Sequence, residues 1–97
     1  IENLKITVRK LNDEDIKTRG LPNQTTGLVI TKIANDSPLI KSLAVNSIII
    51  EAQKRKVRNE NDLNQAIKEV MSSNQKTILL AIYNTENQRR YIGVKLD

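Results

Sequence analysis

Apolar and polar residues alternate over residues 4–9, close to the start of the chain. A period of two places every second side chain on the same face of a β-strand. Residues 28–33 are instead rich in branched apolar side chains, and residues 48–50 are a continuous apolar run. A short continuous apolar run, such as residues 48–50, is typical of a strand that is covered on both faces. We therefore predict a half-covered strand at the start and two buried strands after it.

The buried strand over residues 28–33 has clear signals at both ends. Gly27 precedes it and lets the chain enter without a Cβ clash. After it, Ser37 stands where a helix N-cap belongs and Pro38 stands at the first helical position, where its missing N–H costs nothing. The apolar spacing over residues 39–43 then predicts a helix of about two turns.

Helical spacing is clearest late in the chain, where five apolar residues fall on one face: Leu63, Ala66, Ile67, Val70 and Met71. Asn59 can cap this long helix, and Asp62 suits its positive end. A shorter helix is predicted between Asn12, whose side chain can cap it with Asp15 three residues on, and Gly20, which can close it in left-handed geometry.

The remaining segments complete an alternating order of strands and helices. Residues 53–56 are interpreted as a polar turn, and Val57 begins a short return. Residues 76–83 and 88–96 are predicted as two strands joined by a hairpin turn at residues 84–87. The predicted order is strand, short helix, strand, short helix, strand, long helix, strand, strand.

Composition excludes several classes of chemistry. The 97 residues include no cysteine and no histidine. This removes disulfides, thiol nucleophiles, Ser–His pairs and the usual transition-metal ligands, so we predict no catalytic residue and no metal site. The length predicts a single domain over residues 1–97. No apolar run approaches the roughly 18 residues of a membrane span, and we predict no signal peptide within these residues. Because the sequence begins at Ile1 rather than Met, we expect a domain taken from a longer protein.

The net charge of +5 is spread over most of the chain. Its densest group is Lys54, Arg55, Lys56 and Arg58. A basic turn of this kind can meet phosphates or an acidic partner, but no aromatic residue interleaves with it and no recognition motif accompanies it. A solvated turn is the better interpretation. A basic nucleic-acid-binding domain rests on charge alone, and we predict no nucleic-acid partner.

Several segments together carry a resemblance to a known family: Gly27 to Ile33 with Ser37-Pro38, Ile48 to Glu51 with Val57, Asn61 to Leu63 with Ala66-Ile67, and Val94 to Leu96. In this order and spacing, from about residue 4 to residue 96, the chain resembles a circularly permuted PDZ domain of bacterial HtrA/Do-like (DegP-type) serine proteases. The second PDZ domain of such enzymes is the most similar. The resemblance implies an α+β fold, a small, partly open β-barrel or sandwich of five to six strands with one long and one or two short helices.

One departure from the family concerns a turn. Family members usually have Asn-Gly where this chain has Gln53-Lys54. Lysine adopts a positive φ with difficulty, so we expect a turn of another type here.

The resemblance also implies a peptide-binding groove. A PDZ domain adds an extended peptide, usually a free C-terminus, as a strand beside an exposed sheet edge, with a helix as the other wall. The implied site comprises a carboxylate loop, Ile1, Glu2, Asn3 and Leu4, a pairing strand, Lys5, Ile6, Thr7 and Val8, and a helix wall, Leu63, Asn64 and Ile67. Glu2 repels a carboxylate unless it points away, which leaves an internal segment as an alternative ligand. For any one apolar residue of the helix wall, simple burial in the core is the better interpretation, and Ile6 and Val8 have the same ambiguity.

Two hypotheses of different classes follow. The first is a non-catalytic module that binds C-terminal or unfolded peptide segments for substrate recruitment, regulation or assembly of a Do-like protease. The second is a structural contact domain that docks onto other domains or subunits of the parent oligomer and leaves its groove unused. The resemblance implies a periplasmic or envelope location, an oligomeric parent and no cofactor. An enzymatic role is the least supported, because no constellation supplies both a nucleophile and a base.

Overall fold

A six-stranded antiparallel sheet organises the chain. The computed structural model describes residues 1–96, which contain strands β1 (Ile6–Lys10), β2 (Leu28–Ile33), β3 (Ile48–Ala52), β4 (Arg55–Lys56), β5 (Thr77–Tyr83) and β6 (Arg89–Lys95), and helices α1 (Asp13–Arg19) and α2 (Glu60–Ser72). The strands lie in the order β1-β2-β3-β5-β6, and β4 pairs with β3. The sheet is not closed into a barrel, so β1 and β6 are its edges. The predicted α+β class is confirmed.

The central strand β3 buries both of its faces. The larger core includes Ile49 of β3 and the apolar face of α2. A smaller core on the opposite face includes Ile48 and Ile50, with Ile16 of α1 packed against it. Successive residues of a strand point to opposite faces, so β3 contributes to both cores in alternation. The prediction that residues 48–50 form a strand covered on both faces is confirmed.

Gly27 directly precedes β2 and packs tightly against β3. A Cβ placed on Gly27 would lie 2.6 Å from the Ile49 carbonyl oxygen and 2.8 Å from Cγ2 of Ile48. Neither distance is compatible with a side chain. The glycine before the buried strand is therefore required by packing, as the sequence indicated.

The predicted helix caps are present. The Asn12 side chain accepts a hydrogen bond from the Asp15 N–H, and the Asp15 carboxylate accepts one in return from the Asn12 N–H, both at 2.9 Å. Gly20 ends α1 with φ 65°. Asn59 caps α2 by accepting from the Asp62 N–H at 2.9 Å. The apolar stripe of α2 ends earlier than predicted, because Met71 is 40% exposed.

The predicted second short helix is wrong. Residues 38–43 form turns, with one helical hydrogen bond from the Leu43 N–H to the Leu39 carbonyl at 2.9 Å. Ser37 does act on this turn as a cap, because its hydroxyl oxygen accepts from the Leu39 N–H at 3.0 Å. A single turn fixes many dihedral angles for one hydrogen bond, and Ile40 on its outer side is 42% exposed and adds little packing. The segment therefore stops at one turn.

The expectation about Gln53-Lys54 is also wrong. Both residues have positive φ, 53° and 66°, the pattern of a type I′ turn, and they join β3 directly to β4. Gln53 is held by β5: its N–H donates to the Leu79 carbonyl at 2.8 Å, and its side-chain oxygen accepts from the Leu79 N–H at 2.6 Å. These two bonds offset the backbone strain. The segment interpreted as a four-residue turn is therefore a two-residue turn followed by β4.

An ion pair connects β1 to the first turn of α1. The Arg9 guanidinium donates to both carboxylate oxygens of Asp15, at 2.7 and 2.8 Å. Mainly through these bonds, the pKa of Asp15 falls from 3.8 to about 2. A depressed pKa in the folded state stabilises the fold above the unfolded pKa, and this contribution is lost as the pH falls towards 2.

Replacing Asp15 with asparagine is expected to lower the free energy of unfolding by about 1 kcal/mol at pH 7. The pKa shift alone corresponds to a larger value, but the Arg9 side chain is 45% exposed and solvent screens the pair. Near pH 2 most of the difference in the free energy of unfolding between Asp15→Asn and the wild type should disappear. Urea unfolding at both pH values measures it. The control Asp13→Asn, at an exposed position, should change stability by less than about 0.5 kcal/mol. If the difference in the free energy of unfolding were the same at both pH values, the stabilisation could not come from the ionised Asp15 carboxylate.

Candidate functional site

The outer edge of β1 presents backbone groups that β2 does not use. The Leu11 N–H donates to the Gly27 carbonyl at 2.9 Å, so the backbone of Leu11 faces β2. Backbone groups of successive residues in a strand point to alternate sides. The N–H and C=O groups of Ile6, Val8 and Lys10 therefore point away from β2. Lys10 was not among the predicted site residues, although its backbone groups point to the same side of β1 as those of Ile6 and Val8.

A bulge in β2 leaves this alternation intact. The pairing shifts between Thr7, which lies opposite Lys32, and Val8, which lies opposite Ile30. The extra residue is Thr31, whose hydroxyl donates to the Thr7 carbonyl at 3.2 Å. The extra residue therefore lies in β2, and the backbone groups along the outer edge of β1 alternate without interruption.

The predicted apolar site residues lie inside the larger core. Five of them are buried and belong to one cluster: Leu4, Ile6, Val8, Leu63 and Ile67. Ile1 is partly buried and packs against the same cluster. The polar members Thr7 of β1 and Asn64 of α2 are exposed. The structure therefore brings the first strand and the long helix into one core, and their apolar side chains fill that core.

The predicted carboxylate loop is a turn that closes on itself. The Lys5 N–H donates to the Glu2 carbonyl at 3.2 Å, and the Ile6 N–H donates to the Ile1 carbonyl at 3.4 Å. The Ile1 nitrogen donates to the Ile6 carbonyl at 3.2 Å. Ile1 and Ile6 are thus paired through both backbone groups of Ile6, on the outer side of β1.

Lys5 belongs to this turn and not to the pairing strand, which corrects the sequence prediction. Its φ is 52°, and β1 begins only at Ile6. The reason is that its N–H closes the turn on Glu2, while its carbonyl accepts from the Ala34 N–H at 3.0 Å. Both bonds require the left-handed conformation at a residue that seldom adopts it.

Residues 36–38 hold the loop against the rest of the protein. The buried Ser37 hydroxyl donates to the Leu4 carbonyl at 2.6 Å. The Lys5 ammonium lies 2.8 Å from the Asp36 carboxylate, and its hydrogen bond lowers the pKa of Asp36. A cleft of about 310 Å³ beside the loop is lined by Glu2, Asn3, Lys5, Asp36 and Pro38. Sequence reasoning assigned Ser37 only to a helix cap and did not connect it to Leu4.

Three residues of the densest basic group line a second cleft, of about 370 Å³, between β4 and α2: Arg55, Lys56 and Arg58. Two of its four charges are compensated locally, because Arg55 pairs with Glu69 and Arg58 lies 3.9 Å from Asp62. All four side chains are exposed to solvent, as the sequence interpretation expected, but Arg55 and Lys56 belong to β4 and not to a turn.

Residues 1–96 contain neither a cluster of metal ligands nor a membrane-spanning helix. In that range, no three or more acidic, histidine or cysteine side chains come together as a metal site. Neither of the helices it contains has the length and apolar character needed to cross a membrane.

The strand order, the two opposed helices and the open sheet define a small PDZ-like α+β fold. Two solved structures share it: a variant of the HtrA-type protease AlgW with a decapeptide, with a TM-score of 0.75 and 18% identity, and AlgW with a decapeptide, with a TM-score of 0.69 and 19% identity. Each match covers 96% of this chain but only 27% and 28% of those chains, respectively. At these identities the likeness establishes the fold alone.

Comparisons of sequence give no further assignment. No protein-family model matches the chain, and no curated protein matches it.

Proposed function

We propose that this chain is a peptide-binding module that adds an extended segment as a further strand along the outer edge of β1. The observation that carries the proposal is the set of outward-facing backbone groups of Val8 and Lys10 on an edge strand. Such groups pair readily with another extended chain. The structural likeness to an HtrA-type protease solved with a decapeptide supports the same function.

The contact has two parts in this proposal. Backbone hydrogen bonds to β1 provide affinity that is independent of ligand sequence. Alternate ligand side chains then face α2, where Asn64 is exposed and Leu63 and Ile67 lie beneath it in the core. Thr7 is exposed on β1 and adds a polar contact.

The proposed setting follows from the family resemblance. We place the chain as a circularly permuted PDZ domain, most like the second, within a longer HtrA/Do-like serine protease. Peptide hydrolysis then belongs to a separate domain, and this module recruits substrate, regulates the protease or contributes to its assembly. A periplasmic or envelope location and a homo-oligomeric parent are parts of the same proposal.

Strand addition is tested by N-methylation of bound peptides. An array of decapeptides is titrated against the chain by fluorescence polarisation, and the tightest binder is remade with a methyl group on one backbone nitrogen at a time. Methylation at the residues that face β1 should weaken binding about tenfold or more, because a hydrogen bond is lost and the methyl group collides with the strand. Methylation at the intervening residues should change binding by less than about threefold.

The pattern of the effects is decisive. A period of two along the peptide supports strand addition, and an effect that is equal at all positions rejects it. Absence of binding by every decapeptide up to about 1 mM would reject the peptide-binding function itself.

A further inference from the structure

The outer edge of β1 is divided into an occupied part and an open part. At Ile6 both backbone groups are paired with Ile1. At Val8 and Lys10 they face outward beyond that pairing, and of these groups the Lys10 carbonyl accepts a long bond from the exposed Arg9 guanidinium, at 3.4 Å. We infer that the site takes an internal, extended segment of a chain and excludes a free C-terminal carboxylate. This inference rests on the proposed function and specifies its ligand.

The donors that a terminal carboxylate needs are already used. A carboxylate beside a strand is held by several backbone N–H groups that converge on it. At this end of β1, the Lys5 N–H is bonded to the Glu2 carbonyl and the Ile6 N–H to the Ile1 carbonyl. Binding a carboxylate here requires both bonds to break.

The local charge gives a carboxylate no net attraction either. The cleft beside the loop carries the Glu2 and Asp36 carboxylates and a single cation, Lys5. The Lys5 ammonium is 2.8 Å from Asp36 and is therefore compensated. The other charges at the loop are the Ile1 ammonium, which donates to the Ile6 carbonyl at 3.2 Å, and the exposed Glu2 carboxylate, so the loop presents no net positive charge to an incoming anion.

An internal segment meets neither obstacle. It pairs with Val8 and Lys10 through its backbone and diverges from the sheet before it reaches Ile1. Its peptide groups are neutral, so the charge of Glu2 does not oppose it. No chain end is needed for this pairing, since the strand-edge hydrogen bonds are made by any extended backbone.

The test compares three forms of each decapeptide of the array: the free acid, the C-terminal amide, and a form that is extended by three further residues at the C-terminus. The three forms should bind the chain within about threefold of one another. A site that captures the carboxylate would instead favour the free acid by about tenfold or more, because hydrogen bonds to a charged group are strong. That result would overturn the inference and leave the peptide-binding function standing. Absence of binding in all three forms would reject the proposed function.

A double variant tests whether the loop is the cause. Ile1→Ser with Glu2→Lys removes the apolar anchor of the loop and reverses its charge. It should create a preference of about threefold or more for the free acid over the amide. The matched control Ile40→Ser with Glu86→Lys changes two exposed residues in the same way elsewhere and should create none. Equal affinities for acid and amide in a folded double variant would overturn the role assigned to the loop.

Discussion

Replacing Gly27 with alanine is expected to lower the free energy of unfolding by about 3 kcal/mol, because the new methyl group has no room. Its carbon would lie 2.6 Å from the Ile49 carbonyl oxygen, which is part of the backbone of β3 and cannot rotate away. Cγ2 of Ile48, at 2.8 Å, blocks it from a second side. The strands must separate locally to relieve both contacts. Urea unfolding followed by circular dichroism measures the change.

Two other glycines provide matched controls. A Cβ at Gly93 would meet only Cγ2 of Thr77, at 3.5 Å, so Gly93→Ala should change stability by less than about 0.5 kcal/mol. Gly20 has open space around it but a φ of 65°, so Gly20→Ala should cost about 1 kcal/mol through backbone strain alone. If Gly27→Ala were no more destabilising than Gly20→Ala, the close approach of β2 and β3 would not be rigid.

Replacing Ser37 with alanine is the second change of large expected effect, at about 3 kcal/mol. The Ser37 side chain is buried and makes two hydrogen bonds, donating to the Leu4 carbonyl and accepting from the Leu39 N–H. Alanine leaves both backbone groups without this partner. The substitution also releases the loop at the end of β1 from the turn at residues 37–43.

The exposed Ser42 in the same turn is the matched control, and Ser42→Ala should change stability by less than about 0.5 kcal/mol. Thermal and urea unfolding of both variants measure the difference. An effect of Ser37→Ala below about 1 kcal/mol would mean that water replaces the hydroxyl at both bonds.

Features that depend on neighbouring residues were predicted well. The caps at Asn12 and Asn59 and the stop at Gly20 are interactions of a side chain or a φ angle with the adjacent turn, so the local sequence contains the information. The strand at residues 48–50 was equally clear, because a continuous apolar run that is too short for a helix has few other solutions.

Features that depend on contacts with residues distant in sequence were not predicted from the sequence. Gln53 adopts its positive φ because Leu79 of β5 bonds to it twice. Lys5 adopts its own because its carbonyl accepts from the distant Ala34 N–H while its N–H closes the turn on Glu2. The candidate site is of the same kind, since the pairing of Ile1 with Ile6 determines which part of β1 stays open. The alternation over residues 4–9 identifies the strand but does not show what lies beside it.

The close approach at Gly27 also specifies how β2 and β3 align. All four residues that pair β2 with β3 are buried and apolar, so a slip by one residue would exchange one buried set for another and hydrophobicity alone would penalise it little. A slip in either direction, however, would place Leu28 or Thr26 where only a hydrogen atom fits against Ile49. A residue without a side chain thus selects one register among several that are otherwise similar in hydrophobic burial.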